Sequence, residues 1–206
     1  MSKGIKGKNI WLIAIVTLLT GIAGVTTLRH YNNAKLLDEL NTELENDIVL
    51  GDYNAPKNII LFFDYNCGYC KKFFKQVYPQ LDKEYIKTGK AKLTLRLICS
   101  GNDEKALLGY QTAICINKYG NFGKLHKLLL HQSNIIYSTQ FQDLVEGYIS
   151  SNEFLGECIL SSDQNDVIRN IYQFQELKSK GTPTFVIDDE IIVGLKDFSF
   201  FKKILN

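Results

Sequence analysis

The chain has 206 residues and a net charge of +2 at neutral pH, with its acidic and basic residues interspersed. That balance provides no basic patch for nucleic acid, and the sequence has no glycine-rich phosphate loop and no internal repeat. Without an N-terminal segment, the remainder is about the size of one ordinary domain, which is long enough to bury a core.

The N-terminus is predicted to be a targeting segment, residues 1–28. Residues 10–28 are apolar and uncharged, and three lysines precede them. A membrane span needs about 17–25 such residues and the core of a cleaved signal peptide about 7–15, so the length favours an uncleaved signal anchor. A cleaved signal peptide is the alternative, because small residues near position 22 could form a cleavage site. Either segment would export the domain that follows.

A stalk helix is predicted next, over residues 29–49, because leucines recur at helical spacing between residues 36 and 44. The chain then changes to alternating strand and helix patterns. Residues 50–206 are therefore predicted to form the main domain.

Cys67 and Cys70 are predicted to lie at the start of a helix that directly follows a strand. Residues 57–64 are apolar and rich in β-forming residues, and residues 71–78 have an amphipathic helical pattern. The N-terminus of a helix has unpaired N–H groups and a positive dipole end, and both favour a thiolate at Cys67. The two sulfurs lie on one helical turn, so the motif indicates a redox centre.

Downstream, the pattern becomes helical and then returns to strands. Residues 91–98 alternate and predict a strand, whereas residues 101–180 show helical patterns and no convincing strand. Pro183 then stands just before a β-branched and aromatic run, which is followed by a turn, a further strand and a closing helix over residues 196–205.

This order resembles the thioredoxin fold: a strand, the CxxC helix, then Thr-Pro, strand, turn, strand and helix. Residues 62–72 and Gly181-Thr182-Pro183 resemble the extracytoplasmic DsbA-like family, as does a helical insertion at about residues 101–180. The resemblance implies an α/β, thioredoxin-like fold with a large helical insertion, preceded by the N-terminal membrane segment. It also implies a cis peptide bond at Pro183, facing the two cysteines.

The resemblance assigns roles to five residues. Cys67 would be the exposed nucleophile, and Cys70 the more buried resolving cysteine. Pro183 would complete the catalytic site, while Thr182 and Tyr69 would contact the substrate. Leu61 departs from the pattern, because thioredoxin-like proteins commonly have a buried acid six residues before the first cysteine.

Alternative chemistry for the CxxC motif is a zinc half-site or an inert structural bridge. A zinc site needs two further ligands, and His126 and His131 would not share a helix face. We therefore predict no metal and no cofactor. Because Leu61 replaces the usual buried acid, protons at the resolving thiol would have to move through water or through Asp64, which lies three residues before Cys67.

The predicted function is a thiol–disulfide oxidoreductase that introduces disulfides into exported proteins. Its partners would be cysteine-containing exported clients and a membrane redox partner for reoxidation. The predicted location is extracytoplasmic, in the periplasm or cell envelope, with residues 10–28 as the membrane tether. A DsbC-type isomerase or reductase is the first alternative, because Gly68, Tyr69 and Thr182 resemble that type. A non-enzymatic exported binding module with a structural CxxC is the second.

Three cysteines lie outside the motif: Cys99, Cys115 and Cys158. Five cysteines in an exported domain suit an oxidising compartment, and the odd number leaves at least one cysteine free or paired between chains. Buried free cysteines and a bridge between Cys115 and Cys158 both fit the sequence.

Overall fold

The computed structural model describes residues 7–42, 44, 46–100, 103–160, 165–188 and 190–206. The chain divides into two compact units, residues 1–40 and residues 41–206.

The first unit is formed by helix α1, which runs over Gly7–Asn41 and so extends into the start of the second unit. Side chains between residues 15 and 28 are exposed. Within the part of the chain that the structure describes, no helix combines the length and the apolar character that a membrane crossing needs. Within the membrane segment predicted at residues 10–28, the structure describes the helical backbone but not the side chains at positions 10 and 12–14.

The second unit contains a five-stranded sheet in the order β1-β3-β2-β4-β5. Strands β2 and β3 are parallel, and the other neighbouring pairs are antiparallel. The strands are β1 (Ile48–Leu50), β2 (Lys57–Phe63), β3 (Ala91–Leu97), β4 (Thr184–Ile187) and β5 (Glu190–Val193). The predicted strands are thus present, and β1 is a further strand that we did not predict.

The register of the central strands brings two distant loops together. Strand β2 is apolar on both faces, as expected for a strand covered on both sides, and Phe62 pairs with Thr184 of antiparallel β4. The carboxyl end of β2 therefore lies beside the amino end of β4. The Cys67 turn follows the first end, and Pro183 immediately precedes the second.

The helical segment that carries the cysteines extends beyond the predicted pattern of residues 71–78 and ends at Ile86. It consists of α2 (Gly68–Lys72), a π-helical turn (Phe73–Val77), α3 (Tyr78–Leu81) and a second π-helical turn (Asp82–Ile86). Pro79 lies inside this segment and has no N–H to donate, and its ring would clash with the carbonyl four residues earlier in a regular helix. The wider π turn just ahead of it accommodates the proline.

Between β3 and β4 the described chain is helical, as predicted for the insertion. The helices are α4 (Glu104–Tyr119), α5 (Phe122–His131), α6 (Thr139–Ser151), α7 (Glu153–Leu160) and α8 (Asn165–Glu176), and α9 (Phe198–Leu205) closes the domain. Asp103, Asn121 and Ser138 cap α4, α5 and α6 through their side-chain oxygens. A short 3₁₀ turn, Ser133–Tyr137, connects α5 to α6 and was not predicted.

A disulfide joins two helices of the insertion. Cys115 of α4 and Cys158 of α7 are bonded, with their Cα atoms 5.8 Å apart. Of the two arrangements that the sequence allowed for these cysteines, the structure has the bridge. Cys99 is free and half-buried after β3.

A buried ion pair connects the start of the domain to the sheet. The side chain of Arg96 in β3 is 1% exposed, and its Nη2 lies 3.2 Å from Oδ2 of Asp47. The guanidinium also donates to the side chain of Gln173 in α8 and to the carbonyl of Thr42. This network satisfies a charge that would otherwise be very costly to bury.

Candidate active site

Cys67 and Cys70 lie at the start of α2, where the sequence predicted them. Cys67 is the N-cap residue, with an extended backbone and no side-chain cap hydrogen bond, so its sulfur lies at the positive end of the helix. Cys67 is half-buried and Cys70 is fully buried. One thiol is therefore accessible and the other lies behind it in the core.

The loop before β4 lies against the accessible cysteine. The Cys67 Sγ donates a hydrogen bond to the Thr182 carbonyl oxygen, 3.2 Å away, across 115 residues of sequence. The Thr182–Pro183 peptide bond is cis, as the resemblance implied. The carbonyl of the buried Pro183 accepts a hydrogen bond from the N–H of Gly194 at the end of β5. The loop is thus anchored to the sheet on one side and to the nucleophile candidate on the other.

Tyr69 and Thr182, the two predicted substrate contacts, both reach the surface. The Tyr69 side chain is 60% exposed, and the Lys72 ammonium lies 5.3 Å from its ring centre. Thr182 is half-buried. Their predicted role in substrate contact remains a prediction.

The buried cysteine is held in its protonated form. Burial raises the pKa of the Cys70 thiol well above its ordinary value, and the negative charge of a Cys67 thiolate raises it further. The Cys70 sulfur therefore keeps its proton at neutral pH.

No acid stands at the position where thioredoxin-like proteins commonly have one. Leu61 is completely buried in the core. The nearest alternative in sequence, Asp64, is half-buried at the end of β2 and accepts a hydrogen bond from the Tyr110 hydroxyl at 2.5 Å. Burial raises the pKa of this carboxyl, although the Tyr110 hydrogen bond opposes the shift. The Asp64 charge in turn acts on Cys99, whose pKa is raised to about 12 by burial first and by Asp64 second.

A buried histidine contacts the segment just before Cys67, and the sequence did not predict this contact. His126 of α5 is 8% exposed, and its Nδ1 lies 2.8 Å from the hydroxyl of the fully buried Tyr65, two residues before Cys67. The rings of Phe63, Phe74 and Phe122 surround the imidazole. Because Tyr65 and His126 are 61 residues apart, only the fold brings them together.

This histidine should make the domain sensitive to acid. Burial lowers the pKa of His126 to about 4, whereas an unfolded chain protonates histidine near 6.5. The unfolded state therefore gains a proton first, and stability should fall as the pH drops from about 6.5 to 4. At 1.36 kcal/mol per pKa unit, the loss in the free energy of unfolding is about 3 kcal/mol. Urea titrations across this pH range would measure it.

The variant His126→Gln should lose most of that dependence, because glutamine cannot titrate. His131→Gln, at an exposed position on the same helix, is the matched control and should keep the dependence of the unaltered protein. An equal acid sensitivity in all three proteins would show that other groups cause it.

The described part of the chain contains no candidate metal site. No group of three or more histidine, cysteine, aspartate or glutamate side chains is gathered there to hold an ion.

A strand, a pair of cysteines at the start of a helix and a facing cis-proline loop together form a thioredoxin-type site. A thioredoxin family model matches residues 43–206, and the chain belongs to that family. The match covers the sheet, the cysteine pair and the helical insertion.

Three similar proteins narrow the comparison. A Rickettsia conorii protein named "Putative protein-disulfide oxidoreductase" is 27% identical over 157 residues, which cover 70% of this chain and 54% of the relative. The disulfide bond formation protein D of Bacillus subtilis is 21% identical over 169 residues, covering 77% of this chain and 75% of that protein. The crystal structure of Wolbachia pipientis alpha-DsbA1 has 23% identity and a TM-score of 0.62, covering 81% of this chain and 92% of that one.

The three matches differ in how much they establish about this chain. The chain spans about half the length of the Rickettsia relative. The match to the Wolbachia structure shows a shared fold and nothing further, because its identity to this chain is below 25%.

Proposed function

We propose that this protein is a thiol–disulfide oxidoreductase that introduces disulfides into exported proteins through Cys67 and Cys70. The observation that carries the proposal is the contact between the Cys67 sulfur, at the start of α2, and the Thr182 carbonyl beside cis-Pro183. An inert structural bridge would need neither an accessible sulfur nor a facing loop. The names of the similar proteins support the same chemistry.

The reaction begins with the Cys67–Cys70 disulfide. A client thiolate attacks the Cys67 sulfur, so that a client–Cys67 disulfide forms and the Cys67–Cys70 bond breaks, with the electron pair leaving on Cys70. Because the pKa of Cys70 is raised, this leaving sulfur takes up a proton. A second client thiolate then attacks the client sulfur of the mixed disulfide and releases Cys67 as a thiolate. The client loses two electrons and the protein gains them.

Client binding would use the surface beside Cys67. An extended client segment would lie along the Thr182 loop and pair with its backbone, as a strand added to a sheet edge. The exposed ring of Tyr69, two residues after Cys67, would also contact the client. Oxidation of the reduced pair would then require a membrane redox partner that accepts two electrons.

We also propose an extracytoplasmic location, in the periplasm or cell envelope. The proposal rests on the apolar, uncharged composition of residues 10–28 and the lysines before it, which suit a signal anchor or a signal peptide. Membrane fractionation of the whole protein with and without alkaline extraction would distinguish the two.

The function is tested by oxidising the purified protein and mixing it with a reduced, unfolded protein that needs disulfides. We expect one disulfide to appear in the client for every two thiols gained by the protein at Cys67 and Cys70, as counted by a thiol reagent. If the protein instead accelerates only the rearrangement of scrambled disulfides, the isomerase alternative is correct. Binding of the client with no change in thiol count would establish the binding module.

A further inference from the structure

The turn before the nucleophile is closed by the backbone and side chain of Asp64. The Cys67 N–H donates to the Asp64 carbonyl at 3.0 Å, and the Asn66 N–H donates to Oδ1 of the Asp64 carboxylate at 2.7 Å. Asn66, which is exposed, therefore sits at the centre of the turn. Whatever holds Asn66 also sets where the next residue, Cys67, enters α2.

Two tyrosines from the helical insertion hold this turn from outside. The Tyr110 hydroxyl of α4 donates to Asp64 Oδ1, the same oxygen that accepts the Asn66 N–H. The side-chain amide of Asn66 donates to the Tyr137 hydroxyl of the 3₁₀ turn at 3.2 Å. Tyr137 in turn donates to Asp103 Oδ2 at 2.5 Å.

Both tyrosines are fixed in the domain, Tyr110 by its own packing and Tyr137 through Asp103. Tyr110 is completely buried and packs edge-on against Tyr65, with ring centres 5.4 Å apart. Asp103 caps α4 by accepting from the Ala106 N–H, so Tyr137 is tied to the start of a helix. Hydrogen bonds to a carboxylate are about twice as strong as those between neutral groups. The Tyr110–Asp64 pair therefore holds the backbone N–H of Asn66, and the Tyr137–Asp103 pair holds its side-chain amide.

We propose that Tyr110 and Tyr137 are positioning residues that act through Asn66 to keep Cys67 at the N-terminus of α2. We call this arrangement of Asp64, Asn66, Asp103, Tyr110 and Tyr137 the Asn66 clamp. The inference rests on the proposed function and deepens it, because it gives the insertion a part in the reactivity of the nucleophile. Neither tyrosine touches the reacting sulfurs, so the chemistry itself is left to Cys67 and Cys70.

The charges around the clamp agree with such a role. The Tyr137 hydrogen bond lowers the pKa of Asp103, so that carboxyl is ionised at neutral pH and a strong acceptor. At Asp64, the opposing charges are the Asp103 carboxylate, which raises the pKa, and the Lys71 ammonium, which lowers it. Lys71 is itself bound to Ser133 of the 3₁₀ turn, 2.8 Å from Nζ to Oγ, which adds a second link between α2 and the insertion.

The test is the alkylation of Cys67 by iodoacetamide, located by peptide mass spectrometry, in the full-length variants Tyr137→Phe and Tyr110→Phe. A loosened turn would leave the thiolate less well supported by the helix N-terminus. We expect the rate at pH 6–7 to fall about three- to tenfold, as for the loss of one hydrogen bond. At pH 9.5, about one unit above the reference pKa of a free cysteine, the difference should largely disappear. A merely structural role would not produce this pH-dependent split.

Tyr85→Phe is the matched control, since it also removes one tyrosine hydroxyl that binds an asparagine oxygen, Oδ1 of Asn206 at 2.9 Å. Its Cys67 should react as in the unaltered protein. Asn66→Ala should slow the reaction at pH 6–7, and adding Tyr137→Phe to it should cause little further loss, because both changes break the same contact. Fully additive effects, or equal rates in the Tyr137→Phe and Tyr85→Phe proteins, would overturn the proposal.

Alkylation needs no client and no disulfide exchange, so its result is independent of whether the protein oxidises clients. A protein that alkylates as expected but oxidises no client would retain the clamp and refute the oxidoreductase. One that oxidises clients yet shows no effect of Tyr110→Phe and Tyr137→Phe on alkylation would retain the function and refute the clamp.

Discussion

Replacing Cys70 with alanine should cause the protein to accumulate as mixed disulfides with its clients, whereas replacing Cys67 with alanine should trap almost none. Without Cys70, the client–Cys67 disulfide cannot be resolved from within the protein, while the accessible Cys67 still reacts. Without Cys67, the remaining thiol is buried and has a raised pKa, so it is a poor nucleophile. Turnover should fall by on the order of a thousandfold in both variants.

Trapping would be measured by non-reducing electrophoresis and mass spectrometry after incubation with a reduced, unfolded client and glutathione disulfide. Cys99→Ala is the matched control, because it removes a half-buried free cysteine outside the motif and should trap no more than the unaltered protein. Equal trapping by the two alanine variants, or more trapping without Cys67, would reverse the roles assigned to the two sulfurs.

Breaking the buried Arg96–Asp47 pair should cost about 3–5 kcal/mol of unfolding free energy, because one charge would be left in the core without its partner. Both side chains are at most 2% exposed, and the pair is joined by further hydrogen bonds to Gln173 and Thr42. The variants Arg96→Met and Asp47→Leu would show the loss as a lower midpoint in urea at an unchanged slope.

Two comparisons would make that result specific. Lys57→Met removes a charge from the more exposed Lys57–Asp188 pair and should cost less than about 1 kcal/mol. The double variant Arg96→Met/Asp47→Leu removes both buried charges and should be more stable than either single variant. A double variant whose loss equals the sum of the single losses would show that the charges are not coupled.

Local sequence signals were sufficient for most of the architecture. The helical character of residues 101–180, which include α4 and α5, follows from apolar spacing. The position of the CxxC pair at a helix start follows from the strand before it and the amphipathic pattern after it. The cis bond at Pro183 came from the family resemblance, because most X–Pro bonds are trans.

Features that depend on long-range contact could not be predicted in this way. Strand β1 has three residues, too few for a period, and is defined only by its pairing with β3, such as Val49 with Thr94. The bond between Cys115 and Cys158 depends on how α4 and α7 pack, which spacing does not determine. The Asn66 clamp joins residues 71 positions apart in sequence, and each polar side chain alone resembles an ordinary surface group.

The bridge between α4 and α7 has a consequence for the life of the protein itself. Cys115 and Cys158 close a loop across a sequence separation of 43, and by chain-entropy estimates such a loop stabilises a fold by about 4 kcal/mol. A newly made chain lacks that contribution until its own thiols are oxidised. It would thus mature fully only after reaching the oxidising surroundings in which it is proposed to work, where a mature copy with an oxidised Cys67–Cys70 pair could pass that disulfide to Cys115 and Cys158 of the next and become reduced.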